Sequence, residues 1–342
     1  MFKILSHISN VEHIQVNYNL EIIKYKNGNY CLNGETVKNY KYIGLLPNGL
    51  ICQKTSDYYF IENIFSGKII KLDASKSYST GNVFSENGTF YTTNNTFDET
   101  AIEFRKDFYY HDFKTNEEKL LIKQGTGYFF TNYENNTKSI FRSHNTLKSL
   151  SLLTGEYEWE LDLGAYGEID KIIGVCNEIL WVGVGSKMLI GIDIKYGKIM
   201  HVIDKPSHFA YQSGAFNYFR GHDGQIDEKA KKLVGFEFDT YYELDLVTME
   251  FTYWIFREEA KAMKIEARYA SQNIHTEDFI YFIDKLNFKI GIFDRKNKTI
   301  KEAYVFPENS CTGFLNDLQV TNDKMYVLDT GGTLHILKKE RA

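Results

Sequence analysis

The chain has 342 residues, and its content of 43% hydrophobic and 15% aromatic residues is enough to bury a large core, which excludes a disordered protein. The formal net charge of -5 provides no net attraction for a nucleic-acid backbone or an anionic membrane surface. Nucleic acid and membrane are therefore not expected partners. No Pro/Ser-rich linker or charged run divides the sequence, so we predict a single domain over residues 1–342.

The four cysteines are isolated in the sequence and form no Cys-x-x-Cys pair; they are Cys31, Cys52, Cys176 and Cys311. This spacing favours free, buried thiols and a reducing compartment. The first ten residues lack the apolar run of a secretory signal, and no stretch approaches the roughly 18 apolar residues of a membrane span. The sequence therefore predicts a soluble, cytoplasmic protein.

From residue 20 the chain consists of short alternating or aromatic-rich runs separated by turn residues, a pattern typical of antiparallel hairpins. The predicted strands fall in successive groups: 20–26 and 29–32; 49–54, 58–63 and 68–72; 107–113 and 118–122; 147–153 and 157–163; 178–184, 188–194 and 198–203; 232–238, 241–246 and 250–256; 279–283, 288–293 and 299–306. The last group, 324–329 and 333–337, is one strand short.

The later turn of each group falls at residues 34, 67, 116, 155, 197, 249 and 298, so the repeat varies from 33 residues (67 minus 34) to 52 residues (249 minus 197). A period of about 40–50 residues with three or four strands per unit is typical of a β-propeller. We predict an all-β fold with a single β-propeller, of which seven blades are favoured and eight are possible. Because the last group lacks a strand, we expect the ring to be closed by strands from both termini, with residues 2–5 or 14–18 supplying the missing one.

One stretch carries a family resemblance. Residues 149–159, Ser-Leu-Ser-Leu-Leu-Thr-Gly-Glu-Tyr-Glu-Trp, resemble the Ala-x-Asp-x-x-Thr-Gly-x-x-x-Trp repeat of quinoprotein-like (PQQ-like or WD-like) β-propellers. Thr154, Gly155 and Trp159 match, whereas Ser149 and Ser151 replace Ala and Asp. Weaker copies keep Asp193 with Gly197, Asp245 with Thr248, and Asp112 with Thr115. The resemblance implies the propeller fold and carries no function with it. It also predicts that Trp159 is buried between blades.

Two irregular segments interrupt the repeat, and one of them contains a candidate site. Residues 257–268 are rich in Ala, Glu and Lys and predict a helix. Residues 204–231 form a long connection in which Tyr211, Phe219 and Arg220 belong to an aromatic cluster. Tyr and Arg dominate binding hot spots, so we predict these three as partner-binding residues beside the helix. In the alternative interpretation, residues 216–220 form the innermost strand of the next blade.

No cofactor is predicted. Quinoprotein dehydrogenases, which the resemblance suggests first, use a tryptophan floor and a calcium site. Here Trp159, Trp181 and Trp254 each fall within a strand pattern, where packing of the blades explains them.

No metal site or catalytic residue is predicted either. His222, Asp223, Asp227 and Glu228 cluster in the sequence, but they lack the spacing of a histidine pair or a calcium loop and favour a solvated turn. Gly-x-Ser-x-Gly, Walker and His-Glu-x-x-His motifs are missing from the sequence.

These observations favour a non-catalytic protein-binding or scaffolding propeller whose partner is another protein. Two alternatives stay open. The first is an enzyme, a hydrolase or lyase, with a site at the central funnel of the propeller. The second is an immunity-type inhibitor of another protein.

Overall fold

The computed structural model is an all-β propeller, with eight four-stranded blades within the residues that it describes. Those residues are 2–17, 20–38, 40–46, 49–78, 85, 87–185, 188–204, 224–237, 239–266 and 272–339. The chain comprises two compact units: residues 1–45, 53–55 and 234–342 form unit 1, and residues 46–52 and 56–233 form unit 2. The single domain over residues 1–342 stays a prediction. Across the described ranges, no helix is long and apolar enough to cross a bilayer.

The strands follow the chain in order, four to a blade. Blade 1 contains β2 (Val11–Asn17), β3 (Leu20–Tyr25), β4 (Tyr30–Leu32) and β5 (Glu35–Val37); blade 2, β6 (Tyr42–Leu46), β7 (Leu50–Lys54), β8 (Tyr58–Asn63) and β9 (Ile69–Asp73); blade 3, β10 (Ser77–Tyr78), β11 (Gly88–Asp98), β12 (Glu103–Asp112) and β13 (Glu117–Gly125); blade 4, β14 (Tyr128–Tyr133), β15 (Lys138–Ser143), β16 (Thr146–Ser151) and β17 (Tyr157–Asp162). Blade 5 contains β18 (Ile169–Cys176), β19 (Ile179–Val184), β20 (Met188–Asp193) and β21 (Lys198–Asp204); blade 6, β22 (Gln225–Asp227), β23 (Lys232–Glu237), β24 (Thr240–Asp245) and β25 (Phe251–Ile255); blade 7, β26 (Asn273–His275), β27 (Phe279–Asp284), β28 (Lys289–Asp294) and β29 (Thr299–Val305); blade 8, β30 (Leu315–Val320), β31 (Lys324–Asp329), β32 (Leu334–Lys339) and, as its fourth strand, β1 (Phe2–Ile8).

Each of blades 1 to 7 has a tight turn between its third and fourth strands. A residue with left-handed φ occupies it at the seven positions marked in the sequence: Gly34, Gly67, Asn116, Gly155, Gly197, Met249 and Lys298. These turns number seven, although the blades number eight. Blade 8 lacks the turn because its fourth strand comes from the other end of the chain. The structure therefore has eight blades, the number that the sequence allowed as its second possibility.

An aspartate sets the shape of most of these turns. In blade 5, Asp193 Oδ1 accepts the backbone N–H groups of Lys195 and Tyr196, both at 2.9 Å. The N–H of Gly197 also donates a hydrogen bond to the carbonyl of Asp193 at 2.9 Å. The same Oδ1 contacts recur at Asp112, Asp245 and Asp294. Because the turn is specified by local hydrogen bonds, it is recognisable in the sequence.

Strands from both ends of the chain complete blade 8, as the sequence predicts. β1 pairs antiparallel with β32, from Phe2 opposite Lys339 to Ile8 opposite Leu334, with a bulge between Ile4 and Ser6. Phe2 is buried in the core of blades 7 and 8. Of the two segments proposed to close the propeller, the first is used, since residues 14–17 belong to β2 in blade 1.

The middle strands of a blade are apolar on both faces. β19 and β31 are buried along almost their whole length, because blades pack against both sides of them. β21, an edge strand, alternates between exposed and partly buried residues. Within unit 2, separate cores join blades 3 and 4 and blades 4 and 5; within unit 1, cores join blades 7 and 8 and blades 8 and 1.

Trp159 docks one blade of unit 2 onto the next. Its indole N–H donates to the carbonyl of Ile194 at 2.9 Å, and its ring covers Gly197, where a Cβ would lie 2.5 Å from Cδ2. The indole is half-buried. In unit 1, the ring of Trp254 lies 4.6 Å from the Nζ of Lys298, at the equivalent turn position of the next blade. Both tryptophans therefore serve blade packing.

The predicted helix over 257–268 is shorter than expected: α1 is Arg257–Ala262. Lys264 adopts φ 53°, and its N–H donates to the carbonyl of Lys261 at 2.9 Å. The N–H of Ile265 reaches the carbonyl of Ala260 at 2.8 Å, and both of these side chains are buried. This is a Schellman motif, which ends the helix to bury Ile265. Composition alone did not reveal it because lysine is a good helix former.

Candidate protein-binding site

β11 and β12 are the longest strands among the described residues, and their hairpin extends beyond its blade. β10 pairs with only two residues of β11, and β13 leaves β12 beyond Lys106. Residues 94–105 therefore run past both neighbouring strands, and we call them the finger. At its tip, Phe97 pairs directly with Phe104. Directly paired residues project from the same face of a hairpin, which brings the two rings together.

The finger presents three large apolar side chains to solvent. Phe97 is 50% exposed, Phe104 is 63% exposed and Ile102 is 79% exposed. The two phenyl rings lie 5.1 Å apart and are tilted against each other. Single exposed apolar residues are ordinary, whereas a cluster of them on a projecting element is typical of an interaction site.

Hydrogen bonds fix the base of the finger to its blade. Asn94 Nδ2 donates to Asp107 Oδ2 at 2.9 Å, and the N–H of Gln124 donates to Asp107 Oδ1 at 2.8 Å. The hydroxyl of Thr96 donates to Gln124 Oε1 at 2.7 Å. The bond from Asn94, followed by that from Gln124, lowers the pKa of Asp107, so the carboxylate stays ionised as the acceptor.

Polar contacts also fix the tip. Asp98 Oδ1 accepts the backbone N–H groups two and three residues further on, at 3.0 and 3.1 Å. Arg105 Nε forms an ion pair with Asp98 at 2.8 Å. Glu103 lies 3.0 Å from Nε2 of His144, which belongs to blade 4 of the same unit. The finger is thus held in one conformation while its apolar side chains are left in water.

Ile102 is strained as well as exposed. Its φ of 54° lies in the left-handed region, which β-branched residues rarely adopt. Strain of this kind costs on the order of 1–3 kcal/mol and concentrates at functional sites. A glycine or asparagine would relieve the strain without exposing an apolar side chain. The isoleucine therefore serves neither folding nor solubility.

These features together describe a preorganised binding element. A partner that covers the finger would bury three apolar side chains without first ordering a mobile loop, which removes a large cost of association. Asp98, Glu99 and Glu103 make the tip acidic, with Arg105 as the one cation of the residues in the finger. The matching surface on a partner is an apolar pocket with a basic rim.

A second cluster of functional groups lies in unit 1, around Asp329. Its Oδ1 accepts the N–H of Thr333 at 2.9 Å, and its Oδ2 accepts the N–H of Thr312 at 2.7 Å. His335 Nε2 lies 3.3 Å from Oδ2, and the side chains of Asp329 and His335 are fully buried. Burial raises the pKa of Asp329, but the bonds from Thr333 and Thr312 outweigh this and lower it overall.

This cluster continues to the N-terminal strand. Nδ1 of His335 lies 2.9 Å from Nδ1 of His7 in β1, so a chain of contacts links Asp329 through His335 to the strand that completes blade 8. Burial lowers the pKa of His335, while the neighbouring Asp329 opposes this shift. His335 is therefore neutral at physiological pH: its Nε2–H donates a hydrogen bond to the Asp329 carboxylate, and its Nδ1 accepts one from His7.

The cluster suits a structural anchor better than a metal or catalytic site. Cys311, Asp329 and His335 place one donor atom each within 4.8 Å of one another, a donor set that zinc accepts. However, both oxygens of Asp329 are already engaged in hydrogen bonds. Burial also raises the pKa of Cys311, which favours the thiol over the thiolate that binds metals or attacks substrates. The sequence predicts four free, buried thiols; all four are free, but Cys311 is only partly buried.

The residues predicted from the sequence as the partner-binding site, Tyr211, Phe219 and Arg220, lie outside the described residues, and the site stays a prediction. His222 and Asp223 also lie outside them. Asp227 ends β22, and its Oδ1 accepts the N–H of Ala230 at 3.0 Å, which caps a turn. Residues 216–220, which the sequence offered as the innermost strand of the next blade, lie outside the described residues as well; among the described strands, β22 stands first in the sheet of blade 6.

Sequence reasoning missed the finger. It began a strand at residue 107, whereas β12 begins at Glu103 and pairs with β11. Asn94 lies in a β-bulge of β11 between Thr93 and Thr96, with φ 53°. A bulge inserts a residue and breaks the alternation on which the strand prediction depends. The available signal was the pair of phenylalanines, Phe97 and Phe104, on either side of an aspartate-led turn.

Comparison with solved structures identifies the fold. The chain is similar to BamB from Moraxella catarrhalis, with 14% identity, a TM-score of 0.57, and coverage of 99% of this chain and 100% of that one. Sqt1 from Saccharomyces cerevisiae gives 11% identity and a TM-score of 0.58, with coverage of 99% and 98%. The resemblance to PQQ-like and WD-like propellers is confirmed.

The WD40 domain of SCAP from fission yeast is similar as well, with 9% identity, a TM-score of 0.53, and coverage of 99% of this chain and 98% of that domain. No family model and no curated protein matches the chain. Identities this low establish a shared fold and leave function to be argued from the site.

Proposed function

We propose that this chain is a non-catalytic, protein-binding propeller that captures its partner through the finger. The observation that carries the proposal is the exposure of Phe97, Ile102 and Phe104 on a hairpin that polar contacts hold rigid. A propeller fold like those of BamB and the WD40 domain fits a scaffold of this kind. The predicted residues Tyr211, Phe219 and Arg220 enter the proposal as a second contact region.

The test replaces the three apolar residues of the finger with serine, in the variant Phe97→Ser/Ile102→Ser/Phe104→Ser. Tagged wild-type and variant proteins are used for capture from the native cell, followed by quantitative mass spectrometry. The variant is expected to lose the principal partner while its free energy of unfolding changes by less than about 1 kcal/mol, as is usual for surface positions. Retention of the same partner at the same level would refute the proposal.

A matched control removes equally exposed apolar side chains elsewhere. Phe65, Leu153 and Val247 are 71%, 73% and 65% exposed and lie on three separate turns. Their triple alanine variant should capture the partner as the wild type does. A third variant, Tyr211→Ala/Phe219→Ala/Arg220→Ala, separates the two regions, because loss of the partner in this variant alone would assign binding to the long connection instead of the finger.

The partner also discriminates between scaffold and inhibitor. An enzyme whose activity falls when it is captured would favour the immunity-type alternative. The cytoplasmic location stays a prediction, and fractionation of the native cell tests it.

A further inference from the structure

A polar cleft of about 760 Å³ lies in unit 1, between blades 1 and 8. Its walls are the end of β2, the start of β3 and the β4–β5 turn in blade 1, and the β30–β31 turn in blade 8. This volume is within the range of about 300–1,000 Å³ that small-molecule sites occupy. The cleft and the finger have no residue in common.

The walls carry groups that both donate and accept hydrogen bonds. Carboxamides come from Asn17, Asn33 and Asn322, carboxylates from Glu21 and Asp323, an ammonium from Lys324 and a hydroxyl from Thr321; Val16, Leu20 and Val320 supply apolar surface. Seven polar side chains thus surround a small apolar area. This composition differs from the mostly apolar lining that a hydrophobic ligand requires.

Hydrogen bonds fix Glu21 in place at the junction of the two blades. The Glu21 carboxylate faces Tyr326, a residue of β31 that is 3% exposed: burial, followed by the neighbouring Glu21, raises the pKa of the Tyr326 hydroxyl. The backbone N–H of Glu21 donates to Asn33 Oδ1 at 2.8 Å, and its carbonyl accepts the N–H of Asn33 at 2.9 Å. Binding groups that are held before the ligand arrives need no ordering on association.

A second bridge joins the blades beside the cleft. The N–H of Val16 in β2 donates to Gln319 Oε1 in β30 at 3.3 Å. On the other wall, the hydroxyl of Thr321 accepts the N–H of Lys324 at 3.1 Å, which sets the turn that carries Asp323. The cleft is therefore a formed feature of the junction, with polar groups directed by both blades.

The charges and amides select a class of ligand. Two carboxylates against one ammonium disfavour phosphate and other anions. A hydroxyl group donates one hydrogen bond and accepts two, so vicinal hydroxyls are matched by carboxamides beside carboxylates. We propose that the cleft binds a neutral saccharide, with Glu21 and Asp323 accepting from its hydroxyls and the asparagine amides donating to them. The pyranose ring is the recognised unit, whether it is free or part of a glycan.

The proposal is tested with purified full-length chain and a panel of glucose, galactose, mannose, N-acetylglucosamine and their disaccharides. Binding is followed by saturation-transfer NMR and isothermal titration, and glycans immobilised through a linker distinguish attached sugars from free ones. At least one member is expected to bind with a Kd below about 10 mM. Glu21→Gln and Asp323→Asn should each weaken that binding about tenfold, the effect of losing one hydrogen bond of about 1.4 kcal/mol to a charged group.

Asp323 is exposed, so its variant should fold normally even if Glu21→Gln disturbs the blade junction. Glu12→Gln is the matched control, because Glu12 pairs with Lys24 at 2.7 Å on blade 1 and does not line the cleft. The proposal is refuted if no saccharide binds, or if both cleft variants bind as the wild type does. Binding of spermidine in place of every saccharide would also refute it and assign the carboxylates to a cation.

Discussion

Substitution of Gly197 by alanine tests the docking of Trp159, because the structure supplies an almost ideal control. Gly197 and Gly67 occupy the same turn position in two blades, with φ 65° and 67°. A Cβ at Gly197 would lie 2.5 Å from Cδ2 of Trp159, whereas a Cβ at Gly67 would meet nothing within 4 Å. Both variants therefore carry the same cost of placing an alanine in a left-handed backbone conformation, and only Gly197→Ala adds a contact with the indole.

The expected magnitudes follow from these distances. A left-handed alanine costs about 1–2 kcal/mol, and this is the whole effect expected for Gly67→Ala. Gly197→Ala adds an overpacking cost of about 1–3 kcal/mol, because the indole must move by about 1 Å to restore an ordinary contact distance of 3.5–4.0 Å. The total loss of unfolding free energy for Gly197→Ala is therefore about 2–5 kcal/mol.

The assay is urea denaturation followed by circular dichroism, with the free energies compared at a common slope. Trp159→Ala and the double variant Trp159→Ala/Gly197→Ala complete a cycle. Without the indole, the added Cβ meets open space, so the second substitution should cost no more than Gly67→Ala does. Equal losses for Gly197→Ala and Gly67→Ala in the wild-type background would show that Trp159 does not dock on this turn.

Two further predictions concern blade 8. Burial lowers the pKa of His335 below its ordinary value of about 6.5, so the folded state binds fewer protons than the unfolded state. The contribution of His335 to stability should be fully present above pH 6.5 and should fall as the pH drops from there through the folded pKa. His335→Gln should lack this contribution when urea midpoints are measured from pH 7.5 to 5. A flat midpoint in the wild type would contradict the burial of a neutral imidazole. Deletion of residues 2–8 removes the pairing of β1 with β32 and the buried ring of Phe2, so the melting temperature should fall by several degrees and β32 should become sensitive to protease. A variant that melts like the wild type would show that β1 contributes nothing to blade 8. Truncation of the exposed Leu5 to alanine is the control.

The architecture could be predicted from the sequence because its turns are local. An aspartate-led turn and its left-handed residue are specified within five positions, as at Asp193 and Gly197. Seven left-handed turn positions, four of them in aspartate-led turns, gave the repeat. The eighth blade was harder to count because its closing strand is defined by pairing between Phe2 and Lys339, a contact that no local pattern records. The repeat therefore predicts that a strand is missing from the last group, but it does not decide between residues 2–5 and 14–18 as its source.

The two candidate sites could not be predicted from the sequence, because they too depend on contacts between residues that are distant in the chain. The cleft depends on Glu21 meeting Tyr326, residues that lie in different blades and carry no motif. The finger depends on a bulge at Asn94 that disrupts the alternation of its own strand. The helix end at Lys264 depends on the burial of Ile265, which composition does not show. In each of these three cases the local structure is determined by tertiary contacts that the local sequence does not reveal.

The pairing of β1 with β32 has a consequence during synthesis. The ribosome makes Phe2–Ile8 before its partner strand and must add about 330 further residues before Lys339 can pair with Phe2. At about 5–20 residues per second, the nascent chain carries this unpaired segment for roughly 17 to 66 seconds. An unpaired strand is a template for wrong partners, including other nascent chains of the same message. Three of its seven residues, Lys3, Ser6 and His7, are polar, which makes pairing with a wrong strand less favourable. We expect the chain to depend on chaperones mainly during the time before β32 has been made.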